Sequence, residues 1–282
     1  MFAVIFIVQP KQDRFDDYLN LAKLLKPELE KIDGFIDNER FGSKRTEGRV
    51  LSLSTWRDEK AVVRWRTLGV HHEVQEKGRL EVFEDYHLRV GEITADNEVP
   101  KGQKLRELRF DATETGNAKV VTISELAPAK ADKPASADLV TDLRLPMSST
   151  DGVIDQEVFE SIYNPGKLLL LVSWRDEAAA EHWKPRTVAE GKLRHCNIRV
   201  IRDYGMSDRR EAPQFYPEVK KTVQKRERTT IAGQQTVVSD TMNQSDLGPA
   251  GDRDQDEPLP KNFASAAASF LSPFSKFSAN FS

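Results

Sequence analysis

The chain has 282 residues, 38% of them hydrophobic and 31% charged, with a formal net charge of −3 and a pI near 6.0. That is a globular balance diluted by a polar segment, and it lacks the dense basic stripe of a nucleic-acid binder. A single cysteine, Cys196, excludes an intramolecular disulfide and a thiolate metal cluster and leaves a buried, inert thiol as the expectation. No apolar run is long enough to span a bilayer, so a cytoplasmic protein without nucleic-acid or integral membrane contact is expected.

In chain order, the apolar run Phe2–Val8 reads as a first strand ending before Pro10. A helix follows from about Arg14 to Glu30, with Phe15, Leu19, Ala22 and Leu25 or Leu29 on one stripe, the spacing of a helix packed on a sheet. Gly34–Phe41 alternates as a second strand, and a turn at Gly48 returns it as a hairpin into the run Val50–Leu53. Thr55-Trp56-Arg57-Asp58-Glu59 marks the passage from strand to helix. Thr55 is expected as the N-cap, with Asp58 closing a capping box. The next helix carries Trp65 and ends at His71, and a last strand runs from about Arg79 to Val90, which completes a βαββαβ unit.

The unit occurs twice. A shift of 118 residues, Trp56 to Trp174, superposes residues 1–87 on 119–205 without a gap. Gly34/Gly152, Glu39/Glu157, Phe41/Phe159, Ser43/Ser161, Gly48/Gly166, Trp65/Trp183 and Tyr86/Tyr204 are among the identities. In the second copy the strands are Val120–Leu126, Gly152–Phe159, Leu168–Val172 and Asn197–Tyr204, Ser173 takes the place of Thr55, and the first helix shrinks to 135–145. The connector holds a loop, 96–102, and a short helix at Lys104–Phe110. After Tyr204 the composition turns polar and aperiodic, as in disordered segments, until phenylalanines gather on one side of a helix in the last twenty residues. That segment suits a protein partner or a membrane surface.

The domains are therefore 1–93, a linker 94–117, a degenerate second copy 118–206 and a mostly disordered tail 207–282. The fold class is α+β. Each ferredoxin-like sheet leaves one face bare, and the other copy is the obvious cover, so the two copies are expected to pack sheet to sheet as an intramolecular barrel-like pseudo-dimer, itself able to form a further homodimer.

With Trp56-Arg57-Asp58-Glu59, Trp65, His71, Gln75, Gly78-Arg79 and Glu84-Asp85-Tyr86 in this order, residues 2–90 resemble the antibiotic biosynthesis monooxygenase (ABM) family of dimeric α/β-barrel proteins. The second copy resembles it through its likeness to the first. The resemblance implies a small-molecule site between sheet and helices of one unit. Members oxygenate polycyclic phenols to quinones with dioxygen and no metal or flavin, or bind haem through a helical histidine near an asparagine and a tryptophan. His71 matches the histidine position, and Trp65 shares its helix.

The expected catalytic residues are His71, Trp65 and Tyr86, and Trp56, His72, Arg79 and Asn38 are expected to bind an aromatic or phenolic substrate. No metal and no cofactor is expected, with haem as the alternative cofactor. Residues kept in both copies argue for structure: Trp56 and Trp65 for core packing, Asp85 and Tyr86 for a structural hydrogen bond. Arg45 and Arg49, by the hairpin turn, are expected in solvent. Residues changed in the second copy argue for chemistry: His71 becomes Ala189, His72 becomes Glu190, Arg79 becomes Asn197 and His87 becomes Gly205. A histidine near neutrality is a sensible base for making a phenolate. The first copy thus reads as a monooxygenase and the second as its structural partner; the alternative is a non-catalytic haem or ligand carrier, or a scaffold recruiting a partner through its tail.

Overall fold

The computed structural model describes residues 1–128, 151–183, 185 and 191–213. The first-helix segment of the second copy (135–145), Ala189 and Glu190, and the phenylalanine-rich end lie outside the described residues. The strands are β1 (Phe2–Pro10), β2 (Phe35–Ser43), β3 (Val50–Trp56) and β4 (Phe83–Asp96) in the first copy. In the second they are β5 (Val120–Ala127), β6 (Val153–Ser161), β7 (Leu168–Trp174) and β8 (Lys192–Gly205). They close into one antiparallel barrel in the order β1-β3-β2-β6-β7-β5-β8-β4. Each copy contributes four neighbouring strands, and the copies meet at two seams, β2 with β6 and β4 with β8.

The period of two sorts the side chains. Ala3 and Ile5 of β1, Leu51 and Leu53 of β3 and their counterparts Val121, Ile123, Leu169 and Leu171 fill the barrel interior. Phe2, Val8 and Trp56 face outward under helices, as do Leu168, Leu170 and Trp174 in the second copy. The unbroken apolar runs of the sequence therefore belong to strands buried on both faces.

Helix α1 (Phe15–Glu30) buries Tyr18, Ala22 and Leu29. Helix α2 (Glu59–Arg66) does not start at Thr55, because β3 continues through Trp56. Asp58 is itself the N-cap, its carboxylate accepting from the Ala61 N–H at 2.9 Å, and Asp176 does the same for Ala179 at the start of α4 (Glu177–Glu181). The helix of Trp65 also stops early. A break at Thr67-Leu68 starts α3 (Gly69–Lys77), so His71 sits in the first turn of a separate helix. A π-helical turn at Gly78–Val82 then occupies what the sequence suggested as the start of the last strand, and β4 runs on to Asp96. Residues 104–110 form no helix; the buried carboxylate of Glu92 accepts from the main-chain N–H groups of Leu108 and Arg109 and holds them extended.

Both seams are specified by polar pairs in an otherwise apolar barrel. At β2–β6 the Ser43 hydroxyl donates to Glu157 and, by pseudo-symmetry, the Ser161 hydroxyl donates to Glu39. Arg45 and Arg49 keep solvent contact, as expected, but also reach across to the buried Glu157, while Lys167 pairs with Glu39 at 2.5 Å and Glu125 at 2.8 Å. At β4–β8 the strands pass so closely that a Cβ on Gly91 would lie 2.5 Å from the Arg199 carbonyl oxygen. Burial disfavours ionised Glu39, but hydrogen bonds from Lys167, Ser161 and Asn164 outweigh it and hold its pKa below the ordinary carboxylate value. That contribution is present above the unfolded pKa and is lost as pH falls through the folded one. Lys167→Met, which removes the ammonium shared by Glu39 and the buried Glu125, is expected to destabilise the barrel by about 3 kcal/mol and to move acid unfolding to higher pH, as followed by circular dichroism across pH.

Candidate active site

The outer face of the first copy's sheet and the helices α1, α2 and α3 enclose a cavity of about 460 Å³. Its floor is apolar, with Val4 and Phe6 of β1 and Leu88 and Val90 of β4; Leu25 and Val62 come from the helices. Phe6 packs on Tyr86 and Phe83 at ring-centroid distances of 5.6 and 5.8 Å, which fixes an aromatic end to the pocket. The size and apolar floor are those of a small-molecule site.

His71 is held from two sides. Its ring stacks on Trp65 at 4.2 Å, and its Nδ1 lies 3.1 Å from the Trp65 carbonyl oxygen. A carbonyl only accepts, so Nδ1 carries the proton and Nε2 is left as the ring's acceptor. Burial pushes the His71 pKa down to about 4, against the hydrogen bond to Trp65. The imidazole is therefore neutral throughout the physiological range, a proton acceptor rather than a donor.

The structure brings six of the seven expected site residues to this cavity: His71, Trp65, Tyr86, His72, Arg79 and Asn38 all line it. His72 lies exposed at the rim. Asn38 gives both amide hydrogens away, to Ser52 Oγ at 3.1 Å and the Leu53 carbonyl at 2.9 Å, so only its oxygen is left for a ligand. Trp56 is the exception. It is fully buried beneath the helices, its indole N–H donating to Ser54 Oγ at 2.9 Å, and Trp174 is held in the same way by Thr122 Oγ1. Trp56 thus forms part of the core, as its presence in both copies implies.

The second copy also reaches this site. Arg202 and Tyr204 of β8 and Arg209 and Pro213 beyond it line the first copy's cavity, because β8 runs beside β4. Arg209 Nη1 donates to the Tyr86 hydroxyl at 2.5 Å, so the hydrogen bond expected of Tyr86 comes from a residue just beyond β8. Burial and the neighbouring Tyr86 push the Tyr204 pKa up to about 12, while the charges of Arg209, Arg66 and Arg202 oppose the rise. None of these residues was apparent as a site residue in the sequence.

A second cavity, of about 530 Å³, opens at one end of the barrel between the copies, floored by Ile7 and Leu171. Its cations are already neutralised: Arg45 and Arg49 by Glu157, and Arg89 by Asp203, which also binds His87. Among the described residues no group of three or more His, Cys, Asp or Glu is placed to hold a metal ion, and no helix is long and apolar enough to cross a membrane. Cys196 is buried in the barrel, and burial pushes its thiol up to about 12.

Because the folded pKa of His71 lies below its unfolded value near 6.5, its contribution to stability is complete above about pH 6.5 and is lost as pH falls towards 4. Nitrogen NMR of the His71 ring is expected to show no titration between about pH 5 and 8; an inflection near 6.5 would contradict the buried, neutral imidazole.

Comparison with known proteins places these features in a family. The antibiotic biosynthesis monooxygenase model matches residues 1–77 and again 120–187, so the second copy matches in its own right. A relative from Pyricularia oryzae, named Jasmonate monooxygenase ABM, is 44% identical over 223 residues, covering 77% of this chain and 99% of the relative. Among solved structures, one described as an antibiotic biosynthesis monooxygenase is 16% identical, with 32% of this chain and 95% of that one covered and a TM-score of 0.30. A conserved protein from Methanosarcina mazei Go1 is 20% identical, with 32% and 88% covered and a TM-score of 0.30. With its domain matched twice and a relative matched along nearly its whole length, the chain belongs to the antibiotic biosynthesis monooxygenase family.

Proposed function

We propose that the chain is a monooxygenase acting on a small, largely apolar molecule held in the first copy's pocket, with His71 as general base. The observation that carries this reading is the anchored imidazole. Its Nδ1–H is committed to the Trp65 carbonyl, so Nε2 is the ring's one acceptor, in a cavity with an apolar floor and arginines in its wall. With a pKa near 4 the free ring is a weak base, so proton transfer to Nε2 requires the substrate anion to be stabilised as it forms, a role the surrounding arginines would fill.

For a phenol the reaction needs no cofactor. One atom of dioxygen becomes the second quinone oxygen, the other leaves as water with the two hydrogens removed, and the ring supplies all four electrons. Insertion of a hydroxyl into a molecule that gives up no further electrons needs two more from a reductant. The name of the Pyricularia oryzae relative makes jasmonate the first compound of that second kind to try.

The test is oxygen uptake by the full chain with jasmonate and with a panel of phenols, each with and without an added two-electron reductant such as NADPH. Turnover is expected, with kcat lowered about a hundredfold or more in His71→Ala. Phenol turnover without reductant selects the cofactor-free route, jasmonate turnover dependent on reductant selects hydroxylation, and no uptake under any of these conditions would overturn the reading.

A second reading follows from the same nitrogen. A histidine whose Nδ1–H is fixed by a carbonyl is poised to ligate a metal through Nε2. If the protein carried haem, which would supply oxygen activation at iron, His71 would be the residue holding it. A Soret band on adding haemin, lost in His71→Ala, is the expected signature of that case, and its absence would retire it.

A further inference from the structure

The described chain contains seventeen arginines, and eleven of them lie within salt-bridge distance of a carboxylate. Six have no such partner among the described residues: Arg40, Arg66, Arg79, Arg106, Arg202 and Arg209. Five of the six line the first copy's cavity; Arg106, exposed on the connector, is the exception. The five are half-buried, where an unpaired charge is costly unless something of opposite sign meets it. The cavity wall holds two acids, Glu59 and Glu76, and both oxygens of Glu59 are taken by Arg109 at 2.8 Å. The barrel-end cavity shows the opposite arrangement, each of its arginines having a carboxylate partner.

Arg66, Arg202 and Arg209 line the cavity together with Tyr86 and Tyr204, Arg202 coming from the second copy and Arg209 from the segment just after it, and the charges of all three favour the Tyr204 phenolate. Arg209 spends one N–H on Tyr86, and Arg202 reaches the main-chain oxygen of Glu211 at a long 3.5 Å and feels the charge of Asp111, so among the described residues most of their donors are uncommitted. Guanidinium forks at the edge of an apolar pocket match a planar carboxylate on an apolar body.

We propose that the second copy completes the first copy's site as an anion clamp, in which Arg202 and Arg209 act with Arg66 to fix the carboxylate of an amphipathic, otherwise apolar organic acid. This rests on the reading of the cavity as the substrate site. It gives the second copy a function beyond closing the barrel: the divergent half orients the substrate so that its reacting end meets His71.

The experiment is calorimetric titration of the full chain with jasmonic acid, a carboxylate at neutral pH, and with its uncharged methyl ester. The acid is expected to bind at least about tenfold tighter than the ester. Arg202→Gln with Arg209→Gln should remove that preference while leaving the ester's affinity and the melting temperature close to wild type. Lysine at the same two positions should restore part of it, and Arg106→Gln should change neither affinity. Acid and ester binding with equal affinity would overturn the clamp alone. Binding of neither would overturn both the clamp and the substrate reading, and a preference for acid that survives the double substitution would place the anion site elsewhere.

Discussion

A four-stranded ferredoxin-like sheet with both helices on one face is left with two exposed edges and a bare apolar surface, each a liability in water. In this chain each half removes these liabilities from the other. β2 pairs with β6 and β4 with β8, the strands close into a barrel, and the two bare surfaces become one interior of Ile5, Phe41, Leu51, Ile123, Phe159 and Leu169. Duplication within one chain holds the halves together at high effective concentration, and the Glu39/Glu157 and Ser43/Ser161 crossings set their register. The position of the candidate site follows from this closure. Because the barrel interior is filled, the space for a ligand is on the outer face, under the helices, and because β8 lies beside β4 the far half overlooks it.

The two halves have diverged on those outer faces rather than in the interior. In the first, Trp65 stacks on His71 and helps wall a cavity. In the second, Trp183 leans on Trp174 at 5.9 Å and on His195 at 5.3 Å, and α4 (Glu177–Glu181) is shorter than its counterpart α2. The same tryptophan thus lines a ligand space in one copy and packs against neighbouring side chains in the other. This asymmetry agrees with residues present in only one copy carrying the chemistry, since a shared architecture cannot require them.

The barrel was legible in the sequence because repetition tests every local reading twice: a strand phase that holds at 2–8 and again at 120–126 is hard to produce by chance. The junctions were less legible. Thr55 resembles an N-cap by residue type, but extending β3 to Trp56 satisfies more backbone and hands the cap to Asp58. The break at Thr67-Leu68 is announced only by Gly69, a residue that a helix interior also tolerates. That Arg45 and Arg49 also pair across the seam was not legible, because their partner, Glu157, is over a hundred residues away and becomes a neighbour only when β2 meets β6. Six of the seven expected residues share one cavity because they lie in one copy's contiguous stretch, whereas Arg202, Tyr204 and Arg209 reach that cavity only through the β4–β8 register, which local sequence does not encode.

The central claim is that one pocket, walled by the first copy and completed by the second, holds the substrate with its anionic end among the arginines and its reacting end at His71. A crystal structure of the full chain with jasmonate bound tests it most directly. The account predicts the ligand between β1, β4 and the helices of the first copy, its carboxylate within hydrogen-bond distance of Arg202 or Arg209. A ligand seated in the polar cavity at the barrel end, or in the first pocket with its carboxylate turned away from both arginines, would contradict it.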